Sequence, residues 1–203
     1  MNIAVFASGN GSNFQAIAEA VKKGRIKANL ALLVCDKPGA YVLERAKNIG
    51  VEVFLIERKN FLTKEDYEKA IVKKLKEKQI GLIALAGYMR IVGADILKAY
   101  KNKILNIHPA LLPSFKGAAG IKDALDHGVK VTGVTVHFVD EEMDHGPIIM
   151  QAAIEVADDD TEESLAKKIH KEEHRIYPEA VRLFVEGRLK IEERCVRKTK
   201  SKK

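Results

Sequence analysis

The 203-residue sequence has no tryptophan, only two cysteines and only five prolines, and each scarcity narrows what the chain is. Cys35 lies in an apolar run and Cys195 in a basic segment far away, which is no disulfide framework. No apolar run approaches the roughly 18 residues that a membrane span needs. The start, Met1-Asn2-Ile3-Ala4-Val5-Phe6, lacks the basic segment of a secretory leader. A cytoplasmic protein without a membrane partner is therefore expected. The composition, 46% hydrophobic and 31% charged, is that of a folded chain, and this length buries a core without metal or disulfide staples.

Charge is abundant and unevenly placed. Residues 194–203 hold Arg194, Arg197, Lys198, Lys200, Lys202 and Lys203 with no acid, so of the net +7 only +1 belongs to residues 1–193. That location argues for a solvated, frayed tail rather than a nucleic-acid arm, and the folded part offers no electrostatic reason to bind a polynucleotide. The expected organisation is one domain over residues 1–190 and a basic tail over 191–203, flexible toward its end.

The first half alternates short aliphatic runs with stretches of helical period, as in a parallel sheet covered on both faces. Strands are predicted at Ile3–Ala7, Leu30–Cys35, Glu52–Ile56, Leu82–Ala86 and Ile104–Ile107. Helices are predicted at Asn13–Lys23, Ala40–Asn48 and Lys64–Lys78, the last capped by Thr63 with Asp66 three residues on. After about residue 130 the pattern changes. Val131–Val139 and Pro147–Val156 read as an antiparallel pair joined by an acidic turn. Asp160 or Thr161 then caps a long helix reaching about Glu186, stopped by Gly187. The fold class is α/β: a single-domain, doubly wound, mostly parallel sheet with an antiparallel strand pair in the C-terminal half and a long C-terminal helix.

Two segments carry chemistry. Ser8-Gly9-Asn10-Gly11-Ser12-Asn13 leaves a strand and opens a helix, where unpaired N–H groups and the helix dipole favour a phosphate. A dinucleotide fingerprint wants a third glycine where Phe14 stands, so one phosphate fits better than a pyrophosphate; the bland reading is a glycine-permitted turn with an Asn13 or Ser12 cap. Asn106-Ile107-His108-Pro109 ends the fifth strand, and the two-residue period puts Asn106 and His108 on one face, at the carboxyl end of a strand where sites gather in open sheets. Asp144 closes the turn Asp140-Glu141-Glu142-Met143-Asp144. On its own this is a solvated loop. Brought against His108, its carboxylate would favour the imidazolium and raise the His108 pKa. An amide, a histidine and a carboxylate suit acyl transfer to an amine, where the amine is itself the nucleophile and the protein need only stabilise an oxyanion and move protons.

At this point the residues resemble the folate-dependent phosphoribosylglycinamide formyltransferases of purine synthesis. The likeness runs through the Ser8–Asn13 loop, Ala86-Gly87-Tyr88-Met89-Arg90, Asn106-Ile107-His108-Pro109-Ala110-Leu111-Leu112-Pro113, Val134-Thr135-Val136-His137-Phe138-Val139, Asp144 with Gly146-Pro147, and Glu173-His174-Arg175-Ile176-Tyr177-Pro178. The resemblance implies that Asn106, His108 and Asp144 are catalytic and that Gly11, Ser12 and Asn13 hold the substrate phosphate, with Glu173 gripping the glycinamide or ribose. It places 10-formyltetrahydrofolate, the co-substrate, at Met89, Arg90, Ile91 and Val92 and at the turn including Asp140 and Glu141, with Lys64 where the family often has arginine. Thr135, His137 and His174 would support these groups, His174 more than His170. No metal is implied, and a homodimer is compatible. One departure is Lys116, where a proline would follow Leu112-Pro113-Ser114-Phe115; His145 after Asp144 is a smaller one.

His170-Lys171-Glu172-Glu173-His174 matches a zinc-peptidase string, but few residues follow it to supply a third ligand. Other folate formyl enzymes, acting on an initiator tRNA or hydrolysing the formyl-folate, carry a further nucleic-acid-binding or regulatory domain, which this chain is expected to lack. A phosphate-ligand sensor would leave Asn106, His108 and Asp144 unexplained.

Overall fold

The computed structural model describes residues 1–199, and the chain packs as two compact units that divide between Leu105 and Asn106. In the first unit β1 (Asn2–Ala7), β2 (Asn29–Cys35), β3 (Val53–Leu55) and β4 (Ile80–Leu85) are laid in the order β3-β2-β1-β4. The pairings β1 with β2, β1 with β4 and β2 with β3 are parallel. Ile3 to Ala7 are all fully buried, which explains why β1 is a continuous aliphatic run: a parallel strand covered on both faces has no polar side. The crossovers are α1 (Ser12–Lys22), α2 (Val42–Asn48) and α3 (Lys64–Glu77), joined by α4 (Ala94–Ala99). Thr63 caps α3 by accepting the Asp66 N–H at 3.0 Å, as its spacing predicts.

In α1 the cap of the bland reading, Ser12 or Asn13, is not the one that forms. Gly11 occupies the cap position with φ 77° and no side-chain cap is made. A methyl group on Gly11 would overlap the Val42 side chain, so both the left-handed backbone and the close approach of α2 require glycine here.

The second unit takes the end of β5 (Ile104–His108) and contains α5 (Gly120–Asp126), β6 (Val131–Phe138), β7 (Ile148–Glu155), α6 (Glu162–Val185), β8 (Leu189–Glu192) and β9 (Cys195–Lys198). β6 and β7 are antiparallel, with a register shift between Val136 and His137. The long helix α6 is closed at its start by a capping box: the Thr161 hydroxyl accepts the Ser164 N–H at 3.2 Å while the Ser164 hydroxyl accepts the Thr161 N–H at 2.9 Å. Gly187 ends it at φ 66°, and its apolar stripe of Leu165, Ile169, Ile176, Tyr177, Ala180 and Val181 is buried.

The segment expected to fray from residue 194 is instead a hairpin. β8 pairs antiparallel with β9 from Leu189↔Lys198 to Glu192↔Cys195, and β9 joins β7 at Ile148↔Cys195. Arg194, Arg197 and Lys198 stay exposed while the backbone is paired, so charge density was a poor guide to order. Residues 200–203 of the expected tail lie outside the described residues. The helices α4 and α5 also went unread, because six or seven residues give too few turns for a period to show. Among the described residues no helix is long and apolar enough to cross a membrane.

Removing the Thr161 hydroxyl orphans a first-turn N–H, so Thr161→Ala should lower the unfolding free energy by about 1 kcal/mol. Urea denaturation followed by circular dichroism reads this directly; an unchanged midpoint would show that Ser164 closes the helix without it.

Candidate active site

The second unit assembles Asn106, His108 and Asp144. Asn106 and His108 leave the same face of β5, and Asp144 arrives from the turn between β6 and β7. The His108 Nδ1 lies 3.4 Å from one oxygen of Asp144, and the Asn106 amide donates to the other at 3.4 Å. The Gly117 N–H donates to Asp144 Oδ2 at 2.8 Å. Asp144 itself sits at φ 51°, a left-handed backbone that aspartate tolerates better than most residues. His137, fully buried on β6, completes the group: its Nε2 is 3.1 Å from the Asn106 amide nitrogen and 3.7 Å from Asp144 Oδ1. Its Nδ1 faces the Phe138 carbonyl at 2.7 Å, so Nδ1 carries the hydrogen and Nε2 accepts from Asn106.

The partners of His108 fix one of its hydrogens in the same way. Its Nε2 is 2.7 Å from the Phe115 carbonyl, an obligate acceptor, so Nε2 carries a hydrogen and the unsatisfied question is Nδ1. Asp144 favours a proton there. Burial outweighs it: desolvation is the largest influence and holds the His108 pKa below the ordinary histidine value, with Asp144 and the Phe115 carbonyl pulling the other way. The sequence-based expectation of a raised pKa is therefore corrected, because His108 is 3% exposed and a buried charge must be compensated almost completely before it is favoured. For Asp144, burial opposes ionisation, but the neighbouring His137 ring and the Gly117 N–H, with a smaller pull from His108, hold its carboxyl below the usual carboxylate value.

Thr135 fixes the segment that follows His108. Its hydroxyl donates to the Ala110 carbonyl at 2.7 Å and accepts from the Leu112 N–H at 3.0 Å and from Gln151 at 3.0 Å. Gln151 was not foreseen; it lies opposite Thr135 on β7, and only the register exposes the pair. Glu173 is buried on α6, and its charge reaches His108. His170, set aside in the sequence in favour of His174, bonds Glu173 Oε2 through Nδ1 at 2.8 Å, which raises the His170 pKa. His174 is exposed one turn on, its ring 6.4 Å from that of His170. Among the described residues no group of three or more His, Cys, Asp or Glu could hold a metal ion.

The first unit carries the phosphate-loop candidates. Gly11, Ser12 and Asn13 form the uncapped start of α1, and Arg45 of α2 donates to the Asn10 carbonyl and side chain at 2.9 and 3.0 Å. Arg45 had no signal in the sequence beyond its place on a helix. The Ser8 hydroxyl ties three strand ends together: it donates to Asp36 at 2.5 Å and accepts the Met89 N–H at 2.9 Å, while Arg90 donates to the other Asp36 oxygen at 2.7 Å. Met89, Arg90, Ile91 and Val92 lie in the loop between β4 and α4, where Met89 and Ile91 are exposed and Val92 is buried. Lys64 is the first residue of α3 and pairs with Glu68 at 3.6 Å. In the second unit's turn, Asp140 is half-buried and Glu141 exposed.

Residues 1–181 match the formyl transferase family. The chain belongs to that family. A phosphoribosylglycinamide formyltransferase of Bacillus subtilis is 51% identical over 88% of this chain and 92% of its own length. A trifunctional purine biosynthetic protein of Gallus gallus is 41% identical over 95% of this chain, which spans 19% of that larger protein. A glycinamide ribonucleotide transformylase from Symbiobacterium toebii superimposes with a TM-score of 0.97 at 47% identity, covering 98% of this chain and 94% of that one. The α/β formyltransferase fold with its long C-terminal helix is thus borne out.

Titration of the His108 ring followed by NMR should give a midpoint below the ordinary value of 6.5. Asp144→Asn removes an influence that raises it, so the midpoint should fall further. A midpoint above 6.5 in the wild-type protein would mean that Asp144, not burial, controls the ring.

Proposed function

We propose that the chain transfers the formyl group of 10-formyltetrahydrofolate to the glycinamide amine of 5-phosphoribosylglycinamide, giving formylglycinamide ribonucleotide and tetrahydrofolate, as a cytoplasmic step of de novo purine synthesis. The observation that carries this reading is the convergence of Asn106, His108 and Asp144 with no serine or cysteine nucleophile among them. Relatives named for this activity that match nearly their whole length support the choice of substrates.

The reduced folate supplies the formyl carbon. The amine attacks it, the bond to the folate nitrogen breaks, the amine loses a proton and the folate nitrogen gains one. In this mechanism His108 is the proton carrier. Its Nδ1 is oriented by Asp144 and its Nε2 is the nitrogen that meets substrate. The resting ring is biased toward neutrality by burial, with its hydrogen on Nε2; that hydrogen is donated to the developing formyl oxygen and passes to the leaving folate nitrogen, and Nε2 then takes the proton that the amine loses. Asn106 holds one amide hydrogen on His137 at 3.1 Å and the other, more weakly, on Asp144 at 3.4 Å. The weaker one is free to turn to the developing oxyanion. The Phe115 carbonyl, which takes the Nε2 hydrogen in the structure, gives way to that same oxygen.

In this reading Gly11, Ser12 and Asn13 bind the substrate phosphate, Glu173 holds the glycinamide or ribose, and Lys64, Met89, Arg90, Ile91, Val92, Asp140 and Glu141 contact the folate. No metal takes part, and no nucleic acid or membrane is a partner.

Incubating the protein with glycinamide ribonucleotide and 10-formyltetrahydrofolate, while following the loss of formyl absorbance, tests the reading. Turnover is expected; binding of the ribonucleotide without turnover would instead mark a phosphate-ligand sensor. His108→Ala and Asp144→Asn should each lower kcat at least about a hundredfold with little change in substrate binding, as for groups that act mainly in the transition state. Gly11→Ala should weaken ribonucleotide binding and leave folate binding intact, measured by calorimetry with each ligand alone.

A further inference from the structure

The C-terminal hairpin ends in a contact that the formyl-transfer reading does not use. Its tight turn is Glu193-Arg194, between β8 and β9, with Glu193 at φ 54°. Arg194 reaches the acidic turn that precedes β7. One guanidinium nitrogen donates to the His145 carbonyl at 2.8 Å and another lies 2.8 Å from the His145 Nε2. Arginine has only hydrogens to offer, so Nε2 must be the unprotonated nitrogen and Nδ1 must carry the hydrogen. Nδ1 is 2.9 Å from Asp140 Oδ2 and donates to it. The other oxygen of Asp140 accepts the Glu142 N–H at 3.1 Å. A single chain of hydrogen bonds therefore runs from the hairpin through His145 and Asp140 into the backbone of the turn, and every donor in it meets an acceptor.

We propose that Arg194 is a positioning residue that, through His145 and Asp140, holds the 140–144 turn in the shape that receives the folate. The inference rests on the formyl-transfer reading for what the turn contacts, and on geometry alone for the clamp. Two facts single it out. His145 is the residue that departs from the expected pattern after Asp144, and it is the link that lets an arginine and a carboxylate be joined through one ring. Arg194 lies beyond residues 1–181, the part that matches the family model, whereas His145 and Asp140 lie within it. The hairpin is itself anchored by the pairing of β9 with β7 at Ile148↔Cys195, and the Arg188 side chain donates to the Thr199 carbonyl at 2.9 Å across its open end. Arg194 is thus held from a fixed base. Asp144 has separate supports in Asn106 and Gly117, so loss of the clamp should disturb reception of the folate more than the chemical step.

The test compares the full-length wild-type protein with Arg194→Ala, His145→Ala and the double variant. Arg194→Ala should raise KM for 10-formyltetrahydrofolate about three- to tenfold, the size of one or two half-exposed hydrogen bonds, with kcat and KM for the ribonucleotide within about twofold. Because Arg194 also holds the His145 carbonyl, which His145→Ala keeps, the double variant should cost less than the two single losses multiplied together but somewhat more than His145→Ala alone. Hydrogen exchange at the Glu142 amide should speed up in Arg194→Ala without any substrate present. An unchanged folate KM would overturn the positioning role, and unchanged Glu142 exchange would overturn the clamp. If wild-type protein transfers no formyl group, the functional reading fails, and the exchange experiment still decides the clamp.

Discussion

The second unit is organised around one carboxylate. Asp144 is largely removed from water, and an enclosed carboxylate is tolerated only when donors converge on it. Its oxygens receive the Gly117 N–H and the Asn106 amide and face the rings of His108 and His137. Those four groups come from the loop after β5, from β5 itself and from β6, so placing Asp144 correctly constrains all of them. The constraint extends to the backbone. Phe115 and Asp144 both sit at positive φ, which for a residue other than glycine costs roughly 1 to 3 kcal/mol and persists only when the surroundings demand it. Here the demand is visible: Phe115 turns its carbonyl onto His108 and Asp144 turns its carboxylate onto Gly117.

His108 shows how two opposing influences make a useful group. An exposed histidine beside a carboxylate would be charged and content; a buried one without a carboxylate would be neutral and inert. His108 is buried and has the carboxylate, and burial wins. Burial therefore biases the ring toward neutrality, while Asp144 beside Nδ1 pulls the other way. The first unit solves a different problem with neutral groups: an uncapped helix start, held open by Gly11, and a serine hydroxyl that ties β1, β2 and β4 at their carboxyl ends.

Most of the strands and the three crossover helices were legible because their signals are local. β1 reads as a buried strand from its composition alone, and Thr63 and Gly187 mark helix ends through backbone chemistry that does not depend on what packs nearby. The pairing of Val131–Phe138 with Ile148–Glu155 was legible from alternation. What was missed depends on register or on the sum of opposing terms. Gln151 meets Thr135 only in the observed register, Arg45 meets Asn10 only after α2 has packed, and the hairpin from Leu189 to Lys198 hid behind its charge. The sign of the His108 shift was misjudged because a sequence shows the carboxylate and does not show the burial. Asn106, His108 and Asp144 were nameable from the strand period and the family resemblance, whereas the contribution of His137 Nε2 and the Phe115 carbonyl required the fold.

The central claim is that His108 and Asp144 work as one unit, and a double-mutant cycle in kcat measures it most directly. If Asp144 acts by orienting and charging His108, then His108→Ala combined with Asp144→Asn should cost no more than the worse of the two single changes. Losses that multiply in the double variant would show two independent contributions and contradict the account.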